Sequence, residues 1–243
     1  MKPWRATALA VAVSLPWPAG AARATSPFLE IPEPRELAGS PAHRYANLTN
    51  DEALAELRRR KIGFVLLSDV RGVRLPIRLT SALNGVHVHS SLPIEQRAES
   101  PFEVLDARLA LALDDFCRVL ASHDIVELVH FTMYRPGAAH QPETLTPQSR
   151  HPGGMAIDVG ALRKRHGGWL TVRHHWPAAV GNQTCGAGAP ELTTRAGREL
   201  LSLVCEAADL RLFHYMLTPH FDAAHHDHLH LEIKAGVNWF LAN

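Results

Sequence analysis

No stretch of this chain is apolar for long enough to cross a bilayer, which takes about 20 residues, so no membrane span is expected in the mature protein. Nor is there a surplus of either charge: 25 Lys and Arg face 24 Asp and Glu. Without a basic stripe to neutralise phosphates, nucleic-acid binding is not expected. Cysteine is scarce, with Cys117, Cys185 and Cys205 alone. An odd count leaves one thiol over, and sequence does not choose the pair. The expectation adopted is a Cys185–Cys205 disulfide with Cys117 buried in a helix. Internal repeats and low-complexity tracts are also lacking.

What is present at the start is an export signal in outline. Lys2 and Arg5 precede a mostly apolar run from Ala6 to Leu15, and Ala22-Arg23-Ala24 has the small-x-small pattern read by signal peptidase. Cleavage after Ala24 is predicted, giving an exported protein, periplasmic or secreted, in which a disulfide is permitted. Losing Lys2, Arg5 and Arg23 leaves 22 basic against 24 acidic residues, a formal charge of −2.

Residues 25–50, rich in proline, alanine and polar residues, read as an irregular lead-in. A short helix is expected from Asp51 to Arg60, capped by Asn50 or Asp51, with a small β-region over 62–90. Ser100-Pro101 resembles a helix start, and apolar residues from Leu105 to Leu120 recur at three- and four-residue spacing. Strands are expected over 126–134, 155–159, 169–172 and 228–233, with a helix over 194–209 capped by Thr193 or Thr194. The first of these strands ends at Tyr134-Arg135-Pro136-Gly137, the segment from there to Arg150 reads as a loop, and Trp239 and Phe240 read as part of a short tail. The sum is an α+β fold, with a small, mostly antiparallel sheet flanked by helices. It divides into a signal peptide (1–24), an N-terminal extension of no assigned role (25–100) and a domain proper (101–243).

Histidine is the unusual component: sixteen in all, five of them between His220 and His230. Two local patterns carry chemistry. In Ser149-Arg-His151-Pro-Gly-Gly154-Met-Ala156-Ile-Asp158, a Gly-Gly turn follows His151, and strand alternation sends Asp158 and Ala156 to the face opposite Met155, Ile157 and Val159. Around Asp227-His228-Leu229-His230, Leu229, Leu231 and Ile233 alternate with His228, His230 and Glu232, so the two histidines share the polar face. Two imidazoles and one carboxylate are a common ligand set for catalytic zinc, which keeps its fourth position for water. His151, Asp158 and His230 are therefore the expected ligands of one Zn2+ per chain. His220, His225 and His226 read as rim residues or as orienters of the ligands. His87 and His89, on one face of a strand, read as a solvent-facing polar edge.

Ser-x-His-x-x-Gly-x-Ala-x-Asp followed by an acidic-x-x-His resembles the D-alanyl-D-alanine metallopeptidases of the hedgehog/DD-peptidase superfamily. The segment Asp222-Ala-Ala-His-His-Asp-His-Leu-His-Leu-Glu also resembles the end of bacterial extensin-like C-terminal domains. The likeness spans residues 104–235 roughly. It implies zinc on His151, Asp158 and His230, Asp227 as general base, His228 assisting catalysis, and Arg135 orienting substrate or stabilising the oxyanion. Asp227 stands where the peptidases more often have Glu. The implied activity is hydrolysis of peptide bonds in peptidoglycan stem peptides, as carboxypeptidase or endopeptidase. The alternative is a non-hydrolytic zinc domain that binds cell wall or a protein partner.

Overall fold

The computed structural model describes residues 28–136, 151–176 and 179–243. The expected signal peptide, Ser149 of the first motif and the loop expected up to Arg150 lie outside them. Along the chain run β1 (Leu29–Glu30), α1 (Pro34–Gly39), α2 (Pro41–Ala46), α3 (Asn50–Arg59), β2 (Phe64–Leu66), β3 (Pro76–Leu79) and β4 (His87–Ser90). Then come α4 (Ile94–Arg97), β5 (Leu105–Asp106), α5 (Ala107–Ser122), β6 (Ile125–His130), β7 (Ala156–Lys164), β8 (Trp169–Thr171) and α6 (Val172–His175). The chain ends with α7 (Arg195–Asp209), β9 (Tyr215–Leu217), β10 (Leu229–Glu232) and β11 (Phe240–Ala242).

The architecture is α+β. The main sheet runs β1-β11-β9-β10-β7-β6-β4, and β8 pairs with β7 beside β10. Its pairings are antiparallel except β11 with β9 and β4 with β6. A second, antiparallel sheet joins β2, β3 and β5.

One face of the main sheet is covered by α5, which packs on β6 with α2, α3 and α7 around it. The helix is buried on nearly every side, and Ala107, Ala110 and Ala112 let its neighbours approach closely. Leu109, Leu113, Phe116 and Leu120 are fully buried with Ile157, Val159, Leu229 and Leu231 of the sheet. Each such side chain contributes about 1.5–3 kcal/mol relative to exposure. The free Cys117 lies in this core, where burial pushes its thiol far above the usual range. Residues expected to form an N-terminal extension enter the same core through Ala42, Ala46, Ala53 and Leu57.

Several local expectations are displaced. Ser100 does cap a turn, but only a 3-10 turn over Pro101–Glu103. The chain then extends through β5, and the long helix begins afresh, capped by Asp106 accepting from the Arg108 N–H at 3.0 Å. The helix after residue 50 is capped by Thr49, which forms a reciprocal capping box with Glu52. The lead-in before residue 50 is not irregular throughout, because Pro34 and Pro41 each open a helix from its first turn. The tail at Phe240 is strand β11, paired with β9 and β1.

The second strand of the site is longer than expected, running to Lys164. Val129 opposes Ala161 while His130 opposes Val159, so Gly160 is an extra residue in β7. Such a bulge re-aims the side chains beyond it. A Cβ at Gly160 would lie 2.8 Å from the Phe131 ring, so only glycine fits without a shift.

Candidate metal centre

The motif strands β7 and β10 pair directly, with His230 opposite Asp158 and Glu232 opposite Ala156. Ile157, Val159, Leu229 and Leu231 turn to the core, so the alternation sends Asp158, His230 and Glu232 to the other face. Ala156 is the small member of that face, leaving room for the buried Glu232 across from it.

His151 arrives from a separate 3-10 turn, His151–Gly153. Its carbonyl accepts from the Gly154 N–H at 3.1 Å and the Arg135 N–H at 3.3 Å. Gly154 has φ +64°, and its carbonyl accepts from the Asp106 N–H at 2.9 Å. The turn is thereby tied to the start of α5.

The three expected ligands converge. His151 Nε2 lies 3.0 Å from Asp158 Oδ1 and 3.3 Å from His230 Nδ1, and His230 Nδ1 lies 3.0 Å from Asp158 Oδ1. All three residues are buried. Among the described residues this is a cluster whose donors stand close enough to share an ion. A tetrahedral ion with bonds of about 2.0–2.2 Å separates its donors by about 3.3–3.6 Å, so the triangle needs only a slight opening.

The far sides of both rings are tied. His151 Nδ1 is 3.2 Å from the Met133 carbonyl, to which it donates, leaving the Nε2 lone pair for the centre. His230 Nε2 is 3.2 Å from Glu232 Oε2 and donates there, leaving Nδ1. Burial holds His151 below its ordinary pKa despite the neighbouring Asp158, which favours the neutral, ligating form. Burial alone would lower His230, but Asp158 and Glu232 outweigh it and raise its pKa to about 9 in the metal-free chain. Burial alone would raise Asp158, but the two imidazoles beside it outweigh that and hold it well below the carboxylate range.

The centre sits beside a cleft of about 480 Å³ lined by Asp158 and His230 with Arg135, Phe221, Asp222, His225, His228 and Glu232, and by Tyr215, Leu217 and Leu241. The half-exposed Arg135 guanidinium lies 3.3 Å from Asp158 Oδ2. His228 Nε2 is 3.6 Å from Asp158 Oδ1, and its Nδ1 is 2.9 Å from Asp227 Oδ1. Asp227 thus meets the cleft through His228. The sites expected at positions 135, 151, 158, 227, 228 and 230 form one group.

Spacing did not single out a second pair of the same kind. His225 Nδ1 lies 2.7 Å from Asp222 Oδ1, and its ring centroid is 5.1 Å from that of His228 and 6.0 Å from that of His230. Burial holds His225 below its ordinary pKa against the pull of Asp222. The Asp-x-x-His spacing on a 3-10 turn was the available signal, since Asp222 caps that turn through the Ala224 and His225 N–H groups. Outside the cleft, His89 Nε2 bonds Glu127 at 2.8 Å.

The rim carrying His225 is held from behind. Cys185 and Cys205 form the disulfide, with Cα atoms 5.5 Å apart. Beside it the buried Thr184 hydroxyl meets Thr218 Oγ1 at 2.9 Å and His220 Nδ1 at 3.2 Å.

Residues 72–241 match the family described as extensin-like protein C-terminus. The chain belongs to that family. No curated protein and no solved structure matches it. Among the described residues, no helix is long and apolar enough to cross a membrane. For this extensin-like domain the Asp158–His230 register and the Gly154 turn are what assemble the centre.

Proposed function

We propose that this extensin-like domain is an exported zinc peptidase that cleaves amide bonds in peptidoglycan stem peptides. The observation that carries the reading is the buried His151–Asp158–His230 triangle, opening on a cleft with two carboxylate-backed imidazoles and a guanidinium. Two neutral nitrogens and one carboxylate leave a divalent ion net positive, the condition for catalytic zinc. The first-motif resemblance to the D-alanyl-D-alanine metallopeptidases supplies the substrate class. The disulfide and the apolar, Ala-x-Ala-terminated N-terminus support export.

Bound zinc supplies a Lewis acid that acidifies water and polarises a carbonyl. The residues divide the remaining work. Asp227 holds the Nδ1–H of His228, leaving Nε2 to take the proton of the attacking water, and it stabilises the imidazolium that results. The imidazolium of His228 then hands that proton to the departing amine, while Asp222 fixes His225 by the same kind of Nδ1–H contact, its ring beside that of His228. Arg135, beside Asp158, offers N–H donors to the oxyanion or to a substrate carboxylate.

The test is direct. Mature protein loaded with zinc is incubated with purified peptidoglycan, and released fragments are read by mass spectrometry beside Asp227→Ala and His228→Ala controls. Fragments from the wild type that fall at least a hundredfold in the controls are expected. Zinc-loaded wild type that binds peptidoglycan and releases nothing refutes hydrolysis and leaves a wall-binding zinc domain.

A further inference from the structure

We infer that Glu232 is the positioning residue of the metal centre, deciding which nitrogen of His230 faces the ion and how firmly it is held. The inference rests on the zinc reading above, and goes beyond it by giving the centre a fourth indispensable side chain that does not touch the metal.

A carboxylate at this place needs a reason. Glu232 is 2% exposed, and isolated buried carboxylates are costly. It follows His230 by two on β10, so the two side chains stand next to each other on the cleft face. Its Oε2 accepts from His230 Nε2 at 3.2 Å, while Nδ1 of the same ring joins the His151–Asp158 triangle. The opposite residue is Ala156, whose single methyl leaves the carboxylate its space. Both neighbouring strands clamp the backbone here: the Glu232 carbonyl accepts from the His214 N–H at 2.8 Å, and the Ile233 N–H donates to the Met155 carbonyl at 3.1 Å.

The two histidine ligands are therefore backed unequally. His151 leans on a neutral backbone carbonyl, that of Met133, which no side-chain substitution removes. His230 leans on an anion. A carboxylate accepting the far N–H fixes the tautomer and increases the basicity of the coordinating nitrogen, and loss of such a partner typically weakens metal binding 10- to 100-fold. Glu232 also brings a second negative charge to the centre, together with Asp158.

The experiment measures Zn2+ affinity of the full mature chain by competition with a chromophoric chelator, for wild type, Glu232→Ala and Glu232→Gln. The melting temperature of each in chelator reports folding separately. Glu232→Ala is expected to bind zinc about 10- to 100-fold more weakly. Glu232→Gln keeps an acceptor oxygen at the same reach and is expected to recover part of that loss. In the zinc-loaded wild type, 1H–15N correlation of the histidine rings should find His230 protonated at Nε2, with that proton exchanging faster in Glu232→Ala. A purely structural role would lower the melting temperature and leave the zinc affinity and the tautomer of the folded fraction unchanged. Zinc affinity of Glu232→Ala within about twofold of wild type, or His230 protonated at Nδ1, overturns the inference alone. Wild type that takes up no zinc overturns the metal centre and the inference together. Zinc uptake without peptide cleavage refutes only the peptidase reading.

Discussion

Replacing Gly154 with alanine tests how the His151 turn is held. The substitution adds one methyl group at a residue with φ +64°, in the left-handed region that costs an L-residue about 1–2 kcal/mol. The new Cβ would lie 2.8 Å from the Asp106 nitrogen, 3.2 Å from the Leu105 carbonyl carbon and 3.3 Å from the Leu105 Cα. These are backbone atoms at the junction of β5 and α5, so they yield only if that junction moves, and overpacking of this kind costs about 1–3 kcal/mol more. The sum is about 2–5 kcal/mol. At about 2–4 °C per kcal/mol for a chain of this size, the melting temperature should fall by about 4–20 °C. Two other glycines separate the causes. At Gly153 a Cβ meets nothing closer than Met155 Cγ at 3.7 Å, and its φ is not positive, so Gly153→Ala should change stability by less than about 0.5 kcal/mol. At Gly85 φ is +80° with nothing within 4 Å, so Gly85→Ala should show the conformational cost alone, about 1 kcal/mol. Thermal unfolding by circular dichroism ranks the three, and zinc competition reports whether the His151 turn has moved. If Gly154→Ala melts with Gly153→Ala and binds zinc as wild type does, the proposed tie between the metal turn and α5 is refuted.

Further expectations follow from the same packing. Arg108 is fully buried and bonds Asp106 Oδ1 at 2.8 Å, so Asp106→Ala strands a buried cation and removes the α5 cap; chemical denaturation should register a loss of about 3–5 kcal/mol, and a loss below 1 kcal/mol would refute the pairing. The disulfide closes a 20-residue separation, and its removal in a Cys185→Ser/Cys205→Ser double variant should cost about 3 kcal/mol of unfolding free energy. His214 is buried against Phe240, and burial, with the nearby His43 and Lys234 charges, lowers its pKa to about 4. An unfolded His214 titrates near about 6.5, so its stabilising effect is complete above that pH. The effect is lost as pH falls toward about 4, by about 3 kcal/mol. His214→Gln should flatten that acid limb in denaturation curves taken between pH 7 and 4, and an unchanged limb would refute the assignment.

The parts of the site that were legible in the sequence are those governed by strand alternation. A period of two places Ile157 and Val159 against Asp158, and Leu229 and Leu231 against His230, wherever the strands sit in space. The Gly154 turn was legible for a similar reason, since few residues tolerate its backbone. Where the reading slipped, a local signal had two outcomes of similar energy. Ser100-Pro101 opens either a helix or a single 3-10 turn, and the chain takes the turn because Asp106 caps the helix better from beside the buried Arg108. The strand β11 has three residues and exists through its pairing with β9 and β1, so no periodicity announces it.

Sequence alone determined the donor set, the face on which each donor stands and the pairing of charge with alternation, because those follow from backbone geometry over a few residues. Tertiary structure decided who stands behind each donor. Met133 is 18 positions from His151 and meets it only because β6 runs beside β7. Asp227 and Asp222 each found a histidine, and which imidazoles reached the cleft depended on the loop held behind them by Thr184 and the disulfide. Glu232 read as one more polar residue on an alternating strand; its buried contact with His230 exists because Ala156, on the neighbouring strand, leaves the space empty.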